Sequence, residues 1–258
     1  MNGPTTVLMY HAVLDAADAD AGADRHYSVD RGQFLRHIDA VRSAGQSPAS
    51  VRSLLAGADA RGVGFTFDDG HASNEWAAQR LADAGGSADF FVNTTTVGTA
   101  HFLSWAALRD MAGIGMSIQS HGHHHRYLDE LSPAEVDDEL QRSRALLEDR
   151  LGRRVELFAP PGGRVSPGLH AAAARAGYTA VCSSRVDLWR DRHEPDIPRF
   201  AVLAETSDAQ LSRWVRQDAG ELLARRLRAG LLNSGKRLLG NQGYEKLRGR
   251  LLKLAAKR

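Results

Sequence analysis

Two short polar clusters each follow an apolar segment, and both carry side chains capable of acid–base or metal chemistry. The first cluster, Asp68-Asp69-Gly70, comes directly after the apolar run that ends at Phe67. Adjacent carboxylates repel each other, so one can ionise against a cation while the other acts as a base. The same cluster is also typical of a tight turn, because aspartate and glycine favour turn conformations. From these residues alone, both interpretations stay open.

The second cluster places four histidines within five consecutive positions, directly after another apolar segment. His121 and His125 are four residues apart, and this spacing lets two imidazole nitrogens face one metal ion. His123 and His124 are expected to face solvent or to contact groups behind the ligands. Two histidines and one carboxylate suit zinc and other divalent transition ions. Asp69, His121 and His125 therefore predict a metal site with open positions for water and substrate.

These side chains need a scaffold that brings distant segments together. Apolar runs and helix-period stretches alternate along most of the chain, and this alternation predicts parallel strands covered by helices, in a barrel or an open sheet. In both architectures the catalytic groups collect on loops at the carboxyl ends of the strands. The predicted strands are residues 6–10, 64–67, 88–93, 116–120, 156–159, 179–183 and 197–203. The predicted helices are residues 31–44, 75–84, 105–112, 133–151 and 167–176.

The two clusters belong to three ordered motifs that resemble those of the polysaccharide deacetylases, the NodB-homology proteins of carbohydrate esterase family 4. The motifs are residues 66–70, 120–125 and 158–163, and the resemblance extends over about residues 5–205. It implies an α/β fold, an irregular (β/α)7 barrel of the NodB-homology type. By position, Asp68 resembles the catalytic base. Asp69, His121 and His125 resemble the ligands of a divalent metal, with Zn²⁺ as the expected ion and other divalent transition ions as alternatives.

Further roles follow from the resemblance and from the chemistry of amide hydrolysis. Residues 8–13 are similar to the poly-N-acetylglucosamine deacetylase subgroup, in which an early histidine takes the role of the acid. This similarity implies that His11 is the general acid, and His193 is the alternative. A tetrahedral oxyanion needs a donor besides the metal. A backbone N–H near Pro161 and Gly162 fits that role, because proline stiffens the loop and glycine permits close approach.

One position departs from the commonest family pattern, and two tryptophans are candidates for contact with a sugar. Many relatives carry arginine where Ala159 stands, and that arginine orients the catalytic aspartate. Arg164 or Arg199 is expected to replace it here. Trp105 and Trp189 are candidates for stacking on sugar rings, although Trp105 also suits packing at a helix start.

The composition excludes several classes of protein. No apolar run reaches the ~18 residues of a membrane-spanning helix, and the single cysteine excludes both a disulfide framework and a cysteine-based zinc site. No secretory signal pattern precedes the first predicted strand, so we expect a cytoplasmic location. Residues 1–218 carry 22 basic and 29 acidic residues, whereas residues 219–258 carry 11 basic and two acidic residues.

This charge split separates two predicted regions, a deacetylase-like catalytic domain at residues 1–218 and a basic amphipathic helical tail at residues 219–258, with net charges of −7 and +9. Leucines recur near helical spacing in the tail, and arginine and lysine fill the opposite faces. The tail therefore either packs as a helix pair on the barrel or binds anionic lipid at the inner face of the membrane. No nucleic-acid partner is expected, because no recognised nucleic-acid motif accompanies the charge.

Together these features predict a metal-dependent hydrolase of carbon–nitrogen non-peptide bonds that removes N-acetyl groups from an N-acetylated sugar or polysaccharide. With a cytoplasmic location, the favoured substrate is a lipid-linked or other precursor glycan. Two alternatives stay open. One is a hydrolase of another amide or cyclic imide on the same fold. The other is a catalytically degenerate barrel that binds a glycan or a protein partner, which the alanine at position 159 and the choice between two general acids make plausible.

Overall fold

Strands and helices alternate along the chain, as the hydrophobic pattern predicts. The computed structural model describes residues 3–15, 22–57, 62–225 and 227, and the chain divides into two units, Met1–Gln217 and Asp218–Arg258. The strands are β1 (Val7–Tyr10), β2 (Ala12–Leu14), β3 (Ser28–Asp30), β4 (Ser47–Ala49), β5 (Gly62–Phe67), β6 (Asp89–Val92), β7 (Ser117–Ser120), β8 (Leu157–Phe158), β9 (Ala180–Cys182), β10 (Asp196–Ile197) and β11 (Phe200–Ala201). The helices are α1 (Arg31–Ser43), α2 (Val51–Leu55), α3 (Asn74–Asp83), α4 (Trp105–Gly113), α5 (Pro133–Leu151), α6 (Leu169–Arg175) and α7 (Asp208–Val215).

Nine of the described strands form one sheet in the order β10-β9-β8-β7-β6-β5-β1-β11, with β4 paired to β5 outside this path. Every pair in this sheet is parallel. The carboxyl ends of the strands therefore lie at one edge, where loops from distant parts of the chain meet. The strands β2 and β3 pair separately. A parallel sheet with helices in its connections confirms the predicted α/β class.

A short segment joins the two ends of this sheet. The strand β10 pairs with β9 at one end, and β11 pairs with β1 at the other, yet only Pro198 and Arg199 separate β10 from β11. Two residues span no more than about 7–10 Å, so the ends of the sheet lie close together and the sheet curls into an irregular barrel. The single strand predicted over 197–203 is therefore two short strands on either side of this seam.

The strand β5 shows how the barrel wall is covered. The ring of Tyr10 stacks at 5.6 Å on Phe65 and at 5.2 Å on Phe67, and Phe34 of α1 meets Tyr10 edge-on at 5.4 Å. Alternate residues of a strand face opposite sides of the sheet, so Thr66 lies on the other face. That inner face leads into the polar cluster that follows the strand.

The helix α5 begins and ends where its sequence dictates. Ser132 and Glu135 form a reciprocal capping box, with Pro133 in the first helical position. Gly152 ends the helix in the left-handed conformation, with φ of 62°. The buried side of α5 consists of Val136, Glu139, Leu140, Ser143 and Leu147. A charged residue therefore lies within an otherwise apolar or small stripe.

Some sequence-based expectations differ from the structure. The elements β2, β3, β4, α2 and α7 had not been predicted. Trp189 is fully buried in the core, so the expectation that it stacks on sugar rings is wrong. Trp105 is half-buried at the start of α4, with the guanidinium carbon of Arg150 at 5.7 Å from its ring centroid, and this favours the packing role.

The second unit is described only at its beginning. Residues 219–225 are helical, and Leu223 and Leu227 are 58% and 61% exposed. The rest of the predicted tail helices lies outside the described residues, so the two-helix tail stays a prediction. No helix within the described ranges is long and apolar enough to cross a membrane.

Candidate active site

The sequence-predicted site residues gather at the carboxyl edge of the sheet. Asp68 and Asp69 follow β5, His11 follows β1, and His121 follows β7. Because these strands are parallel, the loops after them converge on the same region. Segments more than a hundred positions apart in the sequence therefore meet at one edge of the sheet.

Three potential metal ligands face one another at this edge. The Nε2 atoms of His121 and His125 each lie 3.2 Å from Oδ1 of Asp69, and the three ligand atoms are all within 4.8 Å of one another. A zinc ion with bonds of about 2.0–2.1 Å holds its ligand atoms about 3.3 Å apart, so this donor set fits a single divalent ion. The side chain of His121 is buried, whereas those of Asp69 and His125 are 35% and 42% exposed. The outer side of the group is therefore accessible to water and substrate.

Two of these ligands have an unusual backbone conformation. Asp69 and His125 lie in the left-handed region, with φ of 72° and 56°. That region is uncommon for residues other than glycine, although aspartate and histidine tolerate it better than most. Gly70 follows with φ of 72°, and a Cβ atom there would lie 2.8 Å from Cγ1 of Val92. The Asp-Asp-Gly cluster thus forms a tight turn that also presents a candidate metal ligand, so its two interpretations are compatible.

His121 is oriented by the third motif. Its Nδ1–H donates to the carbonyl oxygen of Ala159 at 2.7 Å, which leaves Nε2, on the side facing Asp69, as the nitrogen that a metal could bind. Burial alone would lower the pKa of His121, but the carboxylates of Asp68 and Asp69 outweigh it and raise the pKa. Position 159 therefore contributes through its main chain, whatever its side chain.

A buried ion pair lies beside the ligands. The Nη1 and Nη2 atoms of Arg199 donate to Oδ1 and Oδ2 of Asp68 at 2.7 and 2.9 Å, and both side chains are buried. Arg199 is held in turn by the carbonyl oxygen of Ser183 and the hydroxyl of Thr66, each at 3.1 Å. Burial would raise the pKa of Asp68, but the charge and hydrogen bonds of Arg199 outweigh it, and the pKa is lowered. Asp68 is therefore a fixed carboxylate at neutral pH.

Of the two arginines that the sequence offered as partners of Asp68, the structure pairs Arg199 with it. Arg164 packs elsewhere, with its guanidinium carbon 3.9 Å from the ring centroid of Tyr127 and Nη1 at 3.5 Å from Oδ1 of Asp129. Gly162 has φ of 66°, and a Cβ atom on it would lie 2.8 Å from Cε1 of Tyr127. The Pro-Pro-Gly turn that follows β8 is thus packed against this aromatic ring, and Pro161 is buried.

His11 lies in the same electrostatic environment as the aspartates. Its ring centroid is 4.6 Å from that of Tyr27, and its carbonyl oxygen accepts a hydrogen bond from Nδ2 of Asn74 at 2.6 Å. Burial lowers the pKa of His11, and the charges of Asp68 and Asp69 offset part of that effect. These interactions place His11 with the predicted base and ligands.

His193, the alternative acid, is not brought to this edge. It is exposed and lies three positions before Asp196, where β10 begins, and its N–H donates to Oδ1 of Asp191 at 2.9 Å. Because β10 is parallel to the other strands, a residue preceding it lies on the amino side of the sheet. The structure therefore separates His193 from the metal-ligand group.

One buried acid near the site had not been predicted from the sequence. Glu139 of α5 is 3% exposed and accepts hydrogen bonds from the backbone N–H groups of His123 and His124, each at 2.8 Å. Burial would raise the pKa of Glu139, but the hydrogen bonds from His124 and His123 outweigh it and lower the pKa. The sequence did hold a signal for this burial, since Glu139 comes directly before Leu140 of the apolar stripe.

Comparisons with known proteins agree with this geometry. The family model described as polysaccharide deacetylase matches residues 56–181. The putative polysaccharide deacetylase YxkH of Bacillus subtilis strain 168 is 26% identical over 179 residues, which cover 67% of this chain and 61% of that protein. The chain thus spans less than two thirds of the length of this curated relative.

Solved structures show the same fold. The deacetylase PplD of Streptococcus pyogenes, in complex with acetate, superposes with a TM-score of 0.74 and 22% identity, covering 83% of this chain and 99% of that chain. IcaB from Ammonifex degensii superposes with a TM-score of 0.71 and 24% identity, covering 83% of this chain and 97% of that chain. At this identity the similarity establishes the fold, which is the irregular barrel that the motifs predict.

Proposed function

We propose that the chain is a metal-dependent hydrolase that removes N-acetyl groups from an N-acetylated sugar or polysaccharide, in keeping with the match of residues 56–181 to the polysaccharide deacetylase family model. The observation that carries this proposal is the convergence of Asp69, His121 and His125 beside the ion-paired Asp68. A candidate ligand group, a fixed carboxylate and a histidine at one accessible edge are the groups that amide hydrolysis requires.

Asp69, His121 and His125 are the residues that would hold the metal, and their two nitrogens and one oxygen suit Zn²⁺. A divalent ion bound there supplies the acidification of a water molecule and the polarisation of the amide carbonyl. The hydrogen bond from His121 to Ala159 fixes the imidazole tautomer that ligation needs.

The chain's own residues then move the protons. Asp68 is held ionised and oriented by Arg199. It takes a proton from the water molecule as the water oxygen attacks the acyl carbon. His11, in its protonated imidazolium form, donates a proton to the nitrogen as the carbon–nitrogen bond breaks and is left neutral. A backbone N–H near Pro161 and Gly162 stabilises the charge that develops on the carbonyl oxygen. The products are acetate and a sugar with a free amine.

The arginine pairing bears on the alternative of a degenerate binding barrel. That alternative rests on Ala159, an uncharged residue at the position where many relatives have arginine. Arg199 reaches Asp68 from a different part of the chain and makes the bidentate pair that orients the carboxylate. The alanine is therefore no argument against catalysis.

Metal content and acetate release test the proposal together. Wild-type protein should bind Zn²⁺ and release acetate from N-acetylglucosamine oligomers. Asp68→Asn should keep the metal, and its rate of acetate release should fall about 10²–10⁴-fold. His125→Ala should lose most of the metal as well as the activity. Metal retention by wild-type protein without acetate release from any sugar substrate would favour the binding barrel instead.

The basic tail carries a separate part of the proposal. Residues 219–258 have a net charge of +9, and clustered cations are attracted to anionic lipid by about 1 kcal/mol for each residue near the surface. Such attraction would bring the catalytic domain to a lipid-linked precursor glycan at the inner face of the membrane. Sedimentation with anionic vesicles, comparing the full chain with a variant lacking residues 219–258, tests it, and equal binding of the two would contradict it.

A further inference from the structure

The loop that carries two of the three metal ligands, residues 121–125 (the ligand loop), is held from two sides. On one side, the side chain of Glu139 projects from the buried stripe of α5 and is 3% exposed. Its Oε2 atom accepts the N–H groups of His123 and His124, each at 2.8 Å. Its Oε1 atom accepts from Nδ1 of His124 at 2.6 Å. One carboxylate therefore makes three hydrogen bonds to two neighbouring residues of the loop.

On the other side, the segment after β6 holds the carbonyl groups of the ligand loop. The N–H of Thr94 donates to the carbonyl oxygen of Gly122 at 3.2 Å, and the N–H of Thr95 donates to that of His123 at 3.1 Å. The hydroxyl of Thr95 also donates to the carbonyl oxygen of His123, at 2.7 Å. The N–H groups of His123 and His124 thus point to Glu139, whereas the carbonyl oxygens of Gly122 and His123 point to two threonines, and this fixes the orientation of these peptide planes.

The two ligands of the loop differ in how much they depend on this clamp. His121 is buried and is oriented directly by the carbonyl oxygen of Ala159. His125 is 42% exposed, has φ of 56°, and its ring contacts Asp69 and His121 across the site. A half-exposed ring on a left-handed residue keeps its position only if the preceding backbone is held, and the residue before it, His124, makes two of the three bonds to Glu139.

We propose that Glu139 is a positioning residue that preorganises the ligand loop, and His125 above all, for binding of the divalent metal. This role rests on the proposed function, since it assumes that Asp69, His121 and His125 hold a metal. Glu139 touches neither the ligand atoms nor a substrate and acts through the backbone of the loop. Residues that orient metal ligands in this way contribute about 10–100-fold to metal affinity.

Zinc affinity measured by competition with a chromophoric chelator tests the role without using activity. Glu139→Ala removes all three hydrogen bonds, and its Kd for Zn²⁺ should rise about 10–100-fold. Glu139→Gln should have a smaller effect, because the amide oxygen can accept the two N–H groups and the amide nitrogen can donate to His124. Thermal unfolding of each variant, measured in parallel, establishes that the affinities refer to folded protein. If Glu139→Ala does not fold, the test rests on Glu139→Gln, whose Kd for Zn²⁺ should still be higher than that of the control variant described next.

Asp138→Asn is the matched control. Asp138 is the neighbouring position on α5, it is exposed, and its carboxylate pairs with Arg142 at 3.3 Å instead of contacting the ligand loop. The substitution removes the same charge close to the loop but none of its hydrogen bonds, so its Kd should stay within about twofold of wild type.

The outcomes separate this role from the proposed function. Variants at Glu139 that unfold at lower temperature but bind zinc as tightly as Asp138→Asn would show a structural role only and overturn the proposal. A rise in Kd that is as large in Asp138→Asn as in Glu139→Ala would also overturn it, because charge alone would then account for the effect. Wild-type protein that binds no divalent ion would overturn the proposed function, and the role of Glu139 with it.

Discussion

Two buried aspartates at neighbouring strands, β5 and β6, differ in the groups that stabilise their negative charge. Asp68 follows the last residue of β5, and the guanidinium of Arg199 brings its pKa below the usual range despite burial. Asp89 is the first residue of β6, and burial raises its pKa to about 7, although hydrogen bonds from Ser117 and from the N–H of Val51 act in the opposite direction. One carboxylate is therefore charged at neutral pH, and the other is poised between its two forms.

The difference reflects what each group has to do. Asp89 accepts the N–H of Val51, the first residue of α2, and so satisfies a donor at the start of that helix. A neutral acid can still accept this bond, although more weakly than a carboxylate does. In the proposed mechanism Asp68 must be ionised to take a proton, and it lies at the carboxyl edge paired with Arg199. In this barrel, the buried acid paired with a buried cation lies at the proposed site of chemistry, and the one that accepts from the start of a helix supports the scaffold.

The largest expected effect comes from removing the cation. In Arg199→Met the side chain keeps most of its length, but burial of Asp68 is then opposed only by the charges of His121 and His11, so its pKa should rise. Activity increases with pH as the base ionises, so the acidic limb of the pH profile of kcat/KM should move to higher pH. Breaking a buried pair should also lower the free energy of unfolding by about 3–5 kcal/mol. Acetate release across pH and urea unfolding measure the two effects.

The double variant Asp68→Asn/Arg199→Met is the control for this prediction. It removes both charges, so no isolated buried carboxylate is left, and it should be more stable than Arg199→Met alone. A double variant that is equally unstable would show that lost packing, and not the uncompensated charge of Asp68, explains the effect. An unchanged acidic limb in Arg199→Met would contradict the assignment of Arg199 to Asp68.

A more gradual effect should distinguish Asp89 in the dependence of stability on pH. Its folded pKa of about 7 lies above the ordinary value of 3.8, so the folded state binds more protons between these values. Its contribution to the free energy of unfolding should therefore fall as pH rises through this window, by at most about 1.4 kcal/mol per pH unit. Asp89→Asn cannot titrate, so the difference between wild type and variant should change from about pH 4 to 7 and then level off. If the free energy of unfolding, measured with urea, depended on pH in the same way in wild type and Asp89→Asn, the result would contradict the raised pKa.

The sequence predicted the long elements of the fold better than the short ones. The helix α5 agrees with its predicted range because a capping box, a periodic stripe and a terminal glycine all coincide. The strands β2, β3 and β4 have three residues each and α2 has five, which is too short for a periodicity to be recognised. The helix α7 did carry a signal, with Ser207 as N-cap and Leu211, Trp214 and Val215 at helical spacing.

Within the site, prediction was strongest for residues that directly follow a strand. Asp69 and His121 could be placed together because parallel strands bring their carboxyl ends to one edge. Glu139 escaped prediction because an acid on a helix is usually solvated, and only the packing of α5 against the ligand loop buries it. The choice between Arg164 and Arg199 likewise had no local signal, since both follow short apolar segments.

By itself, the sequence determined which side chains can act as base and ligands and which strand ends carry them, because apolar runs and the residues after them are local features. The tertiary structure alone decided which arginine meets Asp68 and which histidine stands near it. Arg199 lies 131 positions from Asp68 and reaches it because the segment between β10 and β11 joins the two ends of the sheet. His193, only six positions before Arg199, lies on the amino side of β10. Such proximity depends on strand order, which a linear pattern of residues does not contain.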